Sequence, residues 1–142
     1  MLTKDQLSFF ETQGYLVIEN VFDQENILTP VRSEYAALLD NLIKDWVSSG
    51  VLTTLPEGAG FYEKLNFCYQ AGCDWFQPLD ISLPGDRITQ DTPMHFGPAV
   101  FDLLTCPRLL DIVAQLIGPE ITSNPIQHVR LKPPAAKLRH DE

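Results

Sequence analysis

The stretch Thr29-Pro30-Val31-Arg32-Ser33-Glu34-Tyr35-Ala36-Ala37-Leu38-Leu39-Asp40-Asn41-Leu42-Ile43-Lys44-Asp45-Trp46-Val47-Ser48-Ser49-Gly50 decides most of the fold. Its apolar members Val31, Tyr35, Leu38, Leu39, Leu42, Ile43, Trp46 and Val47 recur at helical spacing. A helix built on them turns one continuous stripe toward a core. Thr29 offers a capping hydroxyl and Pro30 suits the first helical position, where an N–H would have no partner anyway. Gly50 supplies the stop.

Upstream, Thr3 followed by Gln6 has the form of a capping box. With Leu7, Phe10 and the stop at Gly14 it predicts a short helix over residues 4–13. The compact apolar run Tyr15-Leu16-Val17-Ile18, closed by turn residues Asn20 and Asp23, predicts a strand. Downstream, Pro56, Gly58 and Gly60 mark a loop, and Phe61, Leu65 and Cys68 predict a helix reaching about Gly72. The proline- and glycine-rich segment from Gln77 to Pro98 predicts a long surface loop. Helices over Ala99–Thr105 and Leu109–Ile117 follow, separated by a break at Pro107, and Gly118-Pro119 stops the second. After Pro125 the pattern changes to a period of two. Gln127, Val129 and Leu131 face one way and His128, Arg130 and Lys132 the other, which predicts a second strand ending at Pro133-Pro134.

A chain of 142 residues that is 44% hydrophobic lies in the range of one folded domain, here residues 1–142, and outside the regime of disordered chains. Ten basic against nineteen acidic residues give a net charge of −9, which repels a polyanion and argues against nucleic acid as a partner. The charge is uneven. Residues 130–142 hold four basic and two acidic residues, so a small anion is expected near that end. No apolar run has the length of a membrane span and no leader pattern opens the chain, so the expected location is the cytoplasm and no membrane partner is expected. Three cysteines, Cys68, Cys73 and Cys106, suit reduced and mostly buried thiols in such a setting.

Three stretches in order carry a resemblance: Leu7-Ser8-Phe9-Phe10-Glu11-Thr12-Gln13-Gly14-Tyr15-Leu16-Val17-Ile18, then Leu109-Leu110-Asp111-Ile112-Val113-Ala114-Gln115-Leu116-Ile117-Gly118-Pro119, then Leu131-Lys132-Pro133-Pro134. Together they resemble the phytanoyl-CoA dioxygenase family of non-haem Fe(II)/2-oxoglutarate-dependent oxygenases. The resemblance implies an α+β chain: the N-terminal helices and first strands of a double-stranded β-helix, a cupin-like jelly-roll, truncated before the catalytic half. It also implies hydroxylation of a small organic substrate, with Fe(II) and 2-oxoglutarate as cofactors of the full-length protein.

In that family a His-x-Asp/Glu pair and a distant His hold the iron. The literal match here, His140-Asp141-Glu142, stands at the end of the chain. The true motif is therefore expected beyond Glu142, with neither iron nor cosubstrate held tightly by this chain alone. The resemblance places Lys132 near the cosubstrate, where an ammonium at a strand end can pair with a carboxylate. Taken alone, Lys132 is an ordinary solvated lysine. Gln127 is a second pocket-lining candidate, facing opposite to Lys132 by strand parity unless a bulge intervenes.

Cys68, Cys73, Cys106 and His95 nominally make four zinc ligands, but their spacing fits no compact zinc knuckle, and core thiols account for them better. His128 and His95 read as surface or hydrogen-bonded histidines. Tyr62, Trp75 and Phe76 flank the proline-rich loop, as core or as the mouth of a substrate site. If the chain is complete at Glu142, the alternative is a non-catalytic α+β binding or interaction module.

Overall fold

The computed structural model describes residues 1–55, 57–83, 85, 87–124 and 127–132. Among these, residues 1–34 with 97–124 form one compact unit and residues 35–96 with 127–132 form the other.

In the first unit, helix α1 spans Lys4–Gln13. The predicted capping box is present: Thr3 Oγ1 accepts from the Gln6 N–H at 3.2 Å and Gln6 Oε1 accepts from the Thr3 N–H at 2.9 Å. Gly14 closes the helix in the left-handed region at φ 77°, a conformation that glycine reaches without Cβ strain. Ahead of α1, the Leu2 N–H donates to Gln115 Oε1 at 2.7 Å.

The long helix, α2, spans Thr29–Ser48, but Thr29 is not its cap. Asp23 Oδ1 accepts from the Glu25 and Asn26 N–H groups at 3.0 and 2.7 Å and starts a π-helical turn, Gln24–Leu28, that runs directly into α2. An aspartate satisfying two orphan donors pre-empts the later cap. The Thr29 hydroxyl instead donates back to the Gln24 carbonyl at 2.8 Å. Helix α4, Pro98–Leu104, packs against the π-helical turn, and Glu34 accepts from the Ala99 N–H at its start at 2.9 Å. Helix α5 covers Pro107–Ile117; Pro107 is its first residue rather than a simple break, and Gly118 ends it as predicted.

The second unit holds most of the core. From α2 come Tyr35, Leu39, Leu42, Ile43 and Trp46; helix α3, Phe61–Gln70, adds Leu65 and Cys68, and the connecting segments add Leu52, Cys73 and Leu79. Lys64 on α3 pairs with Asp40 on α2 at 2.7 Å. The described residues of the loop from Gln77 are irregular, apart from a 3-10 turn over Gln77–Leu79. No helix among the described residues is long and apolar enough to cross a membrane.

The expected α+β class with jelly-roll strands is overturned, because the described residues contain helices and no strand. The two predicted strands keep the burial pattern of strands: Leu16 and Ile18 are half-buried while Tyr15 and Val17 are exposed, and Gln127, Val129 and Leu131 are half-buried while His128, Arg130 and Lys132 are exposed. Both segments lack a ladder of backbone hydrogen bonds to a neighbour among the described residues. Side-chain alternation fixes which way residues face, but a strand exists only when another strand pairs with it. Pro133, Pro134 and the His140-Asp141-Glu142 match lie outside the described residues.

Candidate functional site

Two arrangements in the second unit bring chemistry-bearing side chains together. The first is a polar clip. Leu79, 1% exposed, anchors the 3-10 turn, and the Gln77 side chain donates to the Ser82 carbonyl at 2.7 Å. This bend presents Asp80 to the 127–132 segment. Asp80 Oδ1 accepts from the Val129 N–H at 2.9 Å, and Oδ2 lies 3.0 Å from both His128 Nδ1 and Ser82 Oγ. Burial pushes the Asp80 carboxyl up, but hydrogen bonds from His128, the Val129 N–H and Ser82 outweigh it and hold the group below the ordinary aspartate range.

Asp80, Ser82 and His128 contain the residue types of a nucleophilic triad but not its geometry. Ser82 Oγ lies 2.8 Å from the same His128 Nδ1 that Asp80 engages. A relay needs the carboxylate on one ring nitrogen and the hydroxyl on the other. The clip is therefore structural: it fastens the 127–132 segment to the bend by its backbone and by its histidine.

The sequence-selected residues sit on that segment. Lys132 is exposed and Gln127 half-buried, in step with the burial alternation of the segment. Neither lines the cleft described next.

The second arrangement is that cleft, of about 410 Å³. Leu38, Leu42 and Trp46, one turn apart along α2, form its floor. The neighbouring row Asn41, Asp45 and Ser49 lines one side, and Trp75, Pro78 and Pro93 complete the wall. Trp46 is held by an edge-on contact with Phe76 at 5.9 Å between ring centroids. Of the three aromatics placed beside the loop by sequence, Trp75 lines the cleft, Phe76 supports it from behind, and Tyr62 lies exposed on α3. Sequence reasoning missed the polar row, although its spacing of four was visible beside the apolar one. It also missed Asp80 and Ser82, because nothing in a proline-rich loop marks which residue will meet a distant segment.

All three cysteines are buried. Burial pushes the Cys68 and Cys73 thiols up, with the neighbouring Cys73 adding to the effect at Cys68 and Asp74 adding to it at Cys73. Among the described residues no three His, Cys, Asp or Glu side chains converge to hold a metal, and Asp80 and His128 are turned onto each other. The described residues do not fit an iron centre. Comparison of the chain with protein-family models, with curated proteins and with solved structures returns no match.

Proposed function

We propose that the chain is the N-terminal, helical part of a non-haem Fe(II)/2-oxoglutarate-dependent dioxygenase that hydroxylates a small organic substrate. The order and spacing of the three stretches at 7–18, 109–119 and 131–134 carry this reading. Its iron ligands belong to residues other than the described ones, so none of the redox chemistry is assigned to the described side chains. Lys132 is the residue given to a carboxylate of 2-oxoglutarate, and Gln127 is a lesser, pocket-lining candidate. Lys132 is exposed and has no hydrogen bond or ion pair among the described residues, which leaves its ammonium available to an anion. The reading places the protein in the cytoplasm, and its net charge of −9 speaks against nucleic acid as a partner.

The test starts from the reading frame past Glu142, where a His-x-Asp motif and a later His and Arg are expected and an immediate stop codon overturns the assignment. In the protein carrying those residues, Lys132→Ala weakens 2-oxoglutarate binding by about 1.5–3 kcal/mol, roughly tenfold or more, in an anaerobic titration of the Fe(II)-loaded form. Equal affinities reduce Lys132 to a solvated lysine. The 142-residue chain by itself yields no succinate above a no-protein control.

A second reading is a helical, non-catalytic binding module. It is favoured by the Trp-lined cleft, whose lining residues all belong to the second unit.

A further inference from the structure

We propose that the cleft on α2 binds a small organic ammonium ion with a flat or chain-like apolar body. This goes beyond the oxygenase reading and holds with or without it, since the site uses only side chains of the second unit.

Size and lining set the kind of body. A cleft of about 410 Å³ falls in the lower part of the range that takes small molecules. Its floor is Leu38, Leu42 and Trp46, and Trp75 stands over it, 56% exposed. An indole left in water at the rim of an apolar cleft offers a face on which a flat or aliphatic body can stack.

The polar row sets the sign of the head group. Asp45 lies between Asn41 and Ser49 on the cleft side of α2, and its carboxylate has no ion pair or hydrogen bond among the described residues. Ser49 spends its proton on the Asp45 and Trp46 carbonyls, at 2.8 and 3.1 Å, so toward the cleft it can only accept. Asn41 Oδ1 is engaged by Lys44 Nζ at 3.4 Å, which leaves Asp45 as the anionic acceptor of the row. An ammonium is a donor with no acceptor, and it is also drawn to indole faces. A carboxylate ligand would meet a like charge. The chain's net charge of −9 works in the same direction, concentrating cations at the surface.

The site carries its own reporter, because the chain has two tryptophans and both line the cleft. Intrinsic fluorescence is titrated with three probes that share a phenyl body: phenethylammonium, phenylpropanol and phenylpropionate. The expected result is a saturable change that is tightest with the ammonium, weaker with the alcohol and weakest with the carboxylate. Asp45→Asn, at an exposed position, lowers the ammonium affinity about threefold to tenfold and leaves the alcohol unchanged. Added salt weakens the ammonium alone, an arm that needs no variant. Trp75→Ala weakens both ammonium and alcohol, and circular dichroism checks that each variant keeps its helices. The proposal is overturned if the carboxylate binds as tightly as the ammonium, if Asp45→Asn leaves the ammonium affinity unchanged in a folded variant, or if phenethylammonium gives no saturable response.

Discussion

Along α2, Tyr35, Leu39, Leu42, Ile43 and Trp46 are all buried. Along α5, the more strongly amphipathic helix, Leu109, Ile112, Val113 and Leu116 remain half-covered and Ile117 is 62% exposed. The same contrast separates the two units. The second buries side chains from α2, from α3 and from the segments after each, whereas in the first, among the described hydrophobic residues, only Ala99 and Cys106 are buried. Periodicity states which face of a helix is apolar; whether that face is covered depends on a second element. Burial of apolar surface is worth about 25 cal/mol per Å², so the helix with the clearer pattern is here the one that gains less from it.

The comparison breaks or sharpens at particular residues. The largest effect is expected at Leu39, fully buried at 0% exposure, where Leu39→Ala opens a cavity and costs about 2–5 kcal/mol. Its denaturant midpoint should fall far below that of the wild type, and an unchanged midpoint would show that the α2 face lacks a cover.

Next comes the clip. Asp80→Ala removes a carboxylate that accepts from Val129, Ser82 and His128, at a cost of about 1.5–3 kcal/mol. Because the Asp80 carboxyl is held below its ordinary range in the folded chain, its contribution is whole above about pH 4 and is lost as acid protonates it in the folded state. Amide exchange at Val129 reads this directly: protection should fall on acidification in the wild type and be absent in the variant at every pH. A flat profile in the wild type would remove Asp80 from the account.

In the first unit the effects are smaller. Gln115→Ala deletes the acceptor for the Leu2 N–H and should cost about 0.5–1.5 kcal/mol in thermal melts. Ile117→Ala, at the exposed end of the α5 stripe, should change stability by no more than about 0.5 kcal/mol. A loss at Ile117 as large as that at Leu39 would mean that α5 is covered as α2 is, and the contrast would collapse.

The helices were legible because their signals are local. Thr3 with Gln6, Gly14, Pro107 and Gly118 each act within one turn of where they stand, and they set the ends of α1 and α5. The strands were misread for the opposite reason. Tyr15–Ile18 and Gln127–Lys132 have the alternation of strands, and their burial keeps it, but alternation cannot report whether a partner strand exists. The cap ahead of α2 was misassigned because Thr29 and Asp23 both have capping chemistry, and a pattern of residue types does not rank two caps six residues apart. Of the cleft, Trp75 was visible in advance and the facing α2 rows were half visible. The Asp80–His128 contact joins residues 48 positions apart and leaves no trace in either segment alone.

Buried cysteines give this chain a means of timing its own motions. Cys68 and Cys73 lie in the core of the second unit, and Cys106 is the buried residue at the head of α5 in the first. The thiolate is the reactive form, so a shielded thiol meets an alkylating reagent only when its surroundings open. With reagent dilute enough that closing outruns reaction, each labelling rate is the intrinsic rate multiplied by the fraction of time that its neighbourhood stands open. Three cysteines in two bodies thus form a pair of internal clocks, and the one at Cys106 should run faster.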